Sequence, residues 1–369
     1  MTIFGWLRRF IGRASRSAPT FRRWLISHET RLERLRHSLA RAIPNVIPAE
    51  PYRLEVAITA GCNLRCWGCR YGREFMPGAE LPWSVVQNLL SDAKAAGISS
   101  IRFYGGEPLL HRDLPKMVAY AREIRLNSYV TTNGILLKEK VDALYDAGLR
   151  YMTVGFYGVG QKYDNYVQRM DQFRCLETGL DYARHRYGDR LSFRLNWLLN
   201  RQTCSLDDLY EAWDFAKKYE VSLQVDLIHY SLPYFTEGPD RFLQFRSEDR
   251  PGIERLVSEL VMLKDRHPQV FTQSRMALRS IPDWLLKGPD MRVPCDAYRM
   301  LWVGADGSVK LCYVTFLLGN LHAHRLYELL GTPEHRKASQ DCYRLNCPNC
   351  HCHYDSRIQK DTASVKRYA

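Results

Sequence analysis

The chain has 369 residues, of which 46% are hydrophobic and 25% charged, and this excludes a disordered chain, a collagen and a long coiled coil. At about 150 residues per domain the length points to two domains, or one large domain with an appendage. The net charge is +13, and residues 1–50 carry +7 of it, from ten Arg, no Lys and three Glu; the remaining body is mildly basic and permits nucleic acid without demanding it.

Residues 1–50 read as a basic amphipathic helical extension. Ile3, Phe4, Leu7, Phe10 and Ile11 recur at helical spacing with Arg8, Arg9, Arg13 and Arg16 between them, until Pro19 breaks the pattern. A second helix, over 21–43, places Trp24, Leu25, Leu32, Leu35 and Leu39 on one side before Pro44 and Pro48 end it. The expectation is that 21–43 docks on the barrel through Leu32, Leu35 and Leu39, with 1–18 loosely held. A weak membrane-surface or partner contact through 1–43 is the alternative. No run of 18 apolar residues exists, so no transmembrane segment is expected.

From Tyr52 strands and helices alternate. Strands are predicted at 53–59, 99–104, 127–132, 150–156, 191–198 and 221–228, with helices at 84–96, 112–124, 138–147, 170–186 and 205–219. That alternation implies a parallel sheet with right-handed crossovers. Residues 51–235 are too few for a complete eight-unit barrel, which takes about 250. The fold class expected is therefore α/β: a partial (β/α)6 barrel with an N-terminal helical extension and a small C-terminal cysteine-rich domain. Residues 236–290 read as a helical linker. Residues 291–369 form the C-terminal domain, with a hairpin over 301–311 turning at Asp306-Gly307, a short helix near 325–331 and a cysteine-rich tail.

Eleven cysteines are many for this length, and they cluster. Arg8, Arg9 and Arg13 interrupt the N-terminus before a signal-peptide core develops, so the chain is expected to be cytoplasmic, where clustered cysteines serve metals rather than disulfides. Cys62, Cys66 and Cys69, at C-x-x-x-C-x-x-C spacing, directly follow the first strand. Three thiolates from one loop can hold three irons of a cubane and leave the fourth open; structural zinc is the rival, though zinc prefers four protein ligands. Gly105-Gly106-Glu107-Pro108 ends the second strand, on the same rim, where barrel active sites form. Paired glycines let the backbone approach a ligand, and Glu107 offers a carboxylate. At the C-terminus, Cys295 and Cys312 flank the hairpin, and Cys347-Pro-Asn-Cys350-His-Cys352 follows; two hairpin cysteines plus a C-x-x-C knuckle make a closed four-thiolate site for zinc or a fully ligated cluster. Cys175 and Cys204 stand apart and have no neighbour marking them as nucleophiles.

These residues resemble the radical S-adenosylmethionine enzymes, over roughly 52–230. The resemblance implies that Cys62, Cys66 and Cys69 bind a four-iron four-sulfur cluster whose open iron is chelated by S-adenosylmethionine, with Gly105, Gly106, Glu107 and Pro108 contacting the cofactor amine. It implies reductive C–S cleavage to a 5′-deoxyadenosyl radical that abstracts a substrate hydrogen. Thr132 and Asn133, in Val130-Thr-Thr-Asn-Gly134, and Arg194 and Asn196 on the fifth strand become further cofactor-binding candidates. The aromatic residue usual before the third cysteine is Gly68 here, so adenine packing falls to Trp67 or Tyr71. The fourth strand ends Val154-Gly-Phe-Tyr-Gly158, where many relatives have a Ser and an Asp. The C-terminal set is similar to a Twitch or shortened SPASM extension, which implies an auxiliary four-iron four-sulfur cluster on Cys295, Cys312, Cys347 and Cys350, with Cys342 and Cys352 able to replace one of them.

The function so implied is radical hydrogen abstraction from a small polar metabolite, giving oxidation, epimerisation or rearrangement. Tyr157, Asp226, His229 and Tyr230, at strand ends, are candidates to line the substrate cavity. A peptide-modifying maturase is the alternative, disfavoured because the extension is short for a leader-binding domain. An RNA-binding or RNA-modifying iron–sulfur protein is the more distant one. The expected partners are a small-molecule or peptide substrate and an electron donor such as flavodoxin or ferredoxin.

Overall fold

A computed structural model describes residues 19–230, 242–313 and 315–369, with side chains from residue 28 onward. The helix expected over 1–18 lies outside these residues. Helix α1 is Pro19–Ala40, and six strands follow: β1 (Arg53–Thr59), β2 (Ser100–Gly105), β3 (Asn127–Thr132), β4 (Tyr151–Phe156), β5 (Ser192–Leu199) and β6 (Ser222–Leu227). They stand side by side in chain order, all parallel. The crossovers hold α2 (Trp83–Ala95), α3 (Leu114–Glu123), α4 (Leu137–Asp146), the pair α5 (Gln161–Val167) and α6 (Gln172–Tyr187), and α7 (Leu206–Lys218). Ser205 explains the start of α7: its hydroxyl accepts from Asp208 N while Asp208 reaches back to Ser205 N, a reciprocal cap.

Period-two alternation decides which way each strand faces. Leu54, Val56 and Ile58 of β1, Ile101 and Phe103 of β2, and Met152, Val154 and Phe156 of β4 are fully buried in the main apolar core. The intervening positions are polar: Arg53 and Glu55, Arg102 and Tyr104, Tyr129, Arg194 and Asn196, Gln224 and Asp226 all line a cavity inside the barrel. Closed barrels usually fill this space with branched aliphatic side chains. Here it is kept open and charged.

Both edges of the six parallel strands meet further elements. Beyond β6, α8 (Arg250–Arg266) and α9 (Arg275–Lys287) occupy the stretch expected as a linker, and Phe271 between them pairs with Leu223 of β6. At the other edge β7 (Met300–Val303) joins β1 in parallel, with Leu301 opposite Leu54, and β8 (Ser308–Lys310) and β9 (Leu317–Asn320) continue antiparallel. The predicted hairpin thus extends the barrel's own sheet. Four helices close the chain: α10 (Leu326–Leu329), α11 (Pro333–Arg344), α12 (Tyr354–Lys360) and α13 (Thr362–Tyr368), of which the sequence reading anticipated only the first.

Helix α1 docks on this C-terminal region rather than on the barrel helices, and through a different face from the one expected. Leu32, Leu35 and Leu39 are 43%, 57% and 49% exposed, whereas Glu33, His37 and Ala40 are buried. Glu33 pairs with Arg299 at 3.0 Å, His37 Nε2 meets the Tyr298 hydroxyl at 3.0 Å, and Arg34 donates to Gln359 O at 2.9 Å. The partner surface is built of buried charged and phenolic groups, so the polar stripe of the helix, not its leucines, has the complementary chemistry. Burial also holds His37 neutral, its pKa lowered to about 4.

Candidate active site

Two chambers share the barrel interior. The upper one, about 470 Å³, opens at the C-terminal ends of the strands, and Cys62, Cys66 and Cys69 all face it. The loop bearing them is pinned to α5: Arg65 N donates to Val167 O at 3.2 Å and Trp67 N to Tyr166 O at 2.9 Å. Inside the loop Cys69 N reaches Cys66 O at 3.1 Å, and the Arg73 guanidinium caps the carbonyls of Cys66 and Cys69 from a π-helical turn at Tyr71–Phe75. Burial raises all three thiols, Cys62 to about 11, so they hold their protons until an electrophile takes the sulfurs.

Gly105 and Gly106 border the same chamber, yet their close approach is to the chain itself. Gly106 N donates to Thr59 O and Glu107 N to Gly61 O, each at 2.8 Å. A Cβ on Gly105, whose φ is +145°, would stand 2.2 Å from Thr59 O, and one on Gly106 would stand 2.3 Å from Gly61 O. The glycine pair therefore zips the end of β2 to the root of the cysteine loop.

The Glu107 carboxylate does not face the chamber. It is fully buried, and it accepts from Leu109 N at 3.0 Å, Thr132 Oγ1 at 2.6 Å and Asn133 N at 2.7 Å. Burial outweighs these bonds and raises its pKa to about 7. Pro108 is buried at the start of a short 3-10 turn. Glu107 thus ties β2 to the end of β3, and Asn133 Nδ2 carries the tie to Asn63 Oδ1 in the cysteine loop at 2.8 Å. Thr132 and Asn133 do line the upper chamber, as do Asn196 and Tyr71. Trp67 instead stacks on Phe242, 5.9 Å between centroids.

The lower chamber, about 510 Å³, adjoins the first; Arg102, Tyr104, Asn196, Asp226, Leu227 and His229 line both. Arg194 lines only the lower one. Of the expected substrate-cavity residues, Tyr157 faces the upper chamber and Asp226 and His229 face both, whereas Tyr230 packs against His351 at 5.1 Å. Burial raises Asp226 above the ordinary carboxylate range and lowers His229 to about 4.

Cys352 lies on the wall of the lower chamber and also faces a third, small cavity that collects Cys295, Cys312, Cys342, Cys347 and Cys350. The four expected ligands are together there, and Cys342 and Cys352 join them. A hydrogen bond from Cys342 lowers Cys295 to about 7, and one from Cys352 lowers Cys350. Sequence reading missed Arg357, an isolated arginine in a charged tail with no motif around it. Its guanidinium is fully buried beside this cavity, donating to Cys350 O, Val293 O and Asn349 Oδ1 and lying 4.7 Å above the Trp284 ring. Cys175 is exposed and Cys204 half-buried, both away from these sets. Among the described residues no three His, Cys, Asp or Glu side chains converge closely enough to share one ion; the thiols stand round cavities instead.

A family model described as Radical SAM superfamily matches residues 56–219. The barrel of this chain is a radical SAM domain. The GTP 3',8-cyclase of Mycobacterium ulcerans is 37% identical over 143 residues, 36% of this chain and 38% of that protein. The probable GTP 3',8-cyclase of Sulfolobus acidocaldarius is 24% identical over 263 residues, 70% of this chain and 80% of that one. The chain therefore spans less than half the length of the mycobacterial relative. Among solved structures, anSMEcpe with bound AdoMet and Cp18Cys peptide superposes with a TM-score of 0.63 at 17% identity, over 86% of this chain and 95% of that one. Streptococcus suis SuiB gives 0.60 at 18% identity, over 81% and 70%. At these identities the likeness is one of fold. A radical SAM domain is an enzyme's, built for a four-iron four-sulfur cluster and S-adenosylmethionine, and the donors here fit that pair: three soft thiols on one loop, beside a chamber of mixed polar and apolar lining large enough for a nucleoside. The cysteine-rich C-terminal region is consistent with an auxiliary cluster. No helix among the described residues is long and apolar enough to cross a membrane.

Proposed function

We propose that this enzyme abstracts a hydrogen atom from a small polar substrate held in the lower chamber. The observation that carries the reading is the continuity of the two chambers: the thiol triplet opens onto one, charged strand residues line the other, and six side chains belong to both. Cys62, Cys66 and Cys69 would hold the first cluster. The backbone of Gly105 and Gly106, with Thr132, Asn133 and Asn196, would receive the cofactor, while Tyr71 supplies an aromatic wall. When bound, the cluster and S-adenosylmethionine supply a 5′-deoxyadenosyl radical by reductive cleavage of a C–S bond. Glu107 acts one layer beneath, as the brace that keeps the β2 and β3 ends and the cysteine loop in register.

Cys295, Cys312, Cys347 and Cys350 would hold an auxiliary cluster, with Cys342 or Cys352 able to take a place. Because Cys352 touches the substrate chamber, this second centre stands where it could take an electron from an oxidised substrate. The first electron would come from a small reductant such as flavodoxin or ferredoxin. The lower chamber, half-open, polar and about 510 Å³, has the size of a small-molecule site, which supports a metabolite. Iron counting tests the two-centre assignment. Reconstituted protein should hold about eight irons, and the Cys62, Cys66, Cys69 triple Ala variant about four. Undiminished iron in the triple variant, or zinc at the second centre, contradicts it.

A further inference from the structure

Resting on that reading, we infer that the substrate carries an oxyanion group, a carboxylate or phosphate, and that Arg194 is its anchor in the lower chamber. Three guanidiniums point into this chamber from inward strand positions: Arg53 of β1, Arg102 of β2 and Arg194 of β5. One carboxylate answers the first two. Glu55 lies 2.9 Å from Arg53 Nε and 3.1 Å from Arg102 Nη1. Arg194 makes one hydrogen bond, Nε to Asn196 Oδ1 at 3.1 Å, and lies 5.9 Å from the Tyr151 ring centroid, and among the described residues it has no ion pair.

The remaining acids of the chamber are engaged or distant. On the far wall Asp296 is held by Lys360 and Asp355 by Ser274. Asp226 shares the lumen and feels the Arg194 charge, but it accepts from Gln224 Nε2 at 2.6 Å and makes no ion pair with Arg194 among the described residues. Arg194 stands opposite Ser222 and Asp226 opposite Leu198, so four residues, about 13 Å of strand, separate their levels. The two terminal nitrogens of this half-buried guanidinium have no protein hydrogen-bond partner among the described residues, and a bidentate oxyanion would engage both.

The separation orients the ligand. Its anionic end sits deep at Arg194 and Arg102, and its other end rises to Asp226 and His229, which also face the thiol-lined chamber. A molecule with an anion at one end and its reacting C–H bond at the other matches both levels.

The test titrates pyrophosphate and succinate calorimetrically into the anaerobically reconstituted protein, at ionic strength held constant with sodium chloride. One of the two should bind saturably, and the tighter of them names phosphate or carboxylate as the group. Arg194→Gln should weaken that binding at least tenfold and Arg194→Lys less, because lysine keeps the charge but not the fork; melting curves matched to wild type confirm that both variants fold. Neither anion binding above the chloride background overturns the inference, as does equal binding in wild type and Arg194→Gln. Wild-type protein that cleaves S-adenosylmethionine yet binds neither anion overturns the anchor alone. Anion binding at Arg194 without cofactor cleavage upholds the anchor and overturns the radical reading.

Discussion

Replacing Glu107 with Ala is expected to destabilise the floor of the upper chamber rather than to strip a ligand contact from it. The carboxylate is fully buried and satisfies two backbone N–H groups, of Leu109 and Asn133, and the Thr132 hydroxyl. The hydroxyl can rotate to another acceptor, but the two N–H groups cannot. Each buried donor stranded in this way costs about 1–3 kcal/mol, so the variant should lose about 2–6 kcal/mol. That is a large share of a typical total of about 5–15 kcal/mol. Glu107→Gln keeps one acceptor oxygen for Leu109 and Thr132 but turns an amide N–H toward Asn133 N, so it should lose about 1–3 kcal/mol. Guanidinium unfolding of both variants, run beside S-adenosylmethionine affinity, reads the difference. A graded loss of stability, alanine worse than glutamine, is the expected result. An alanine variant as stable as wild type with its cofactor affinity gone would place the carboxylate on the ligand and refute the brace.

Gly106→Ala should push the cysteine loop away from β2, because its Cβ would meet Gly61 O at 2.3 Å and Ala60 O at 2.5 Å; iron should fall toward that of the triple cysteine variant, with about 1–3 kcal/mol lost in denaturation. Arg357→Met should lower retention of the second cluster's iron and cost about 1–3 kcal/mol, since it leaves three buried carbonyl oxygens beside the thiols without their donor. Leu35→Lys should change stability by no more than about 0.5 kcal/mol, as befits an exposed position. Stability should fall as pH drops from 6.5 towards 4: the folded pKa of His37 lies near 4, below its unfolded 6.5, so its contribution is complete above 6.5 and is lost on acidification. His37→Gln should flatten that slope, measured as unfolding free energy against pH. Glu107 works oppositely, with a raised folded pKa near 7, and its contribution fades as pH rises through 7.

The barrel was legible because its strands are short apolar runs punctuated by turns, and all six lie within one or two residues of their predicted limits. The cysteine triplet was legible because ligand spacing is local. What sequence could not show is direction. The sequence reading aimed Glu107 at the cofactor, and only its three donors reveal that the side chain faces inward. Arg194 and Asn196 are two apart on one strand, yet Asn196 reaches both chambers and Arg194 only the lower, because the lumen is deep. In α1 the leucine stripe predicted the docked face, and a buried Glu33–Arg299 pair, invisible to any apolar pattern, decided otherwise. Helices α11 to α13 were hidden because their buried faces carry His335, Ser339, Cys342, Tyr354 and Arg357 rather than a run of aliphatics.

Generation of a carbon radical from S-adenosylmethionine in the thiol-lined chamber is tested most directly by the formation of 5′-deoxyadenosine by the anaerobically reconstituted, dithionite-reduced protein without added substrate. Wild type should show slow but multiple turnover, with the second-centre variant Cys347→Ala still forming the product and the Cys62, Cys66, Cys69 triple Ala variant forming none. Product formation by the triple variant, or its absence from wild type at full iron content, would contradict radical generation at these thiols.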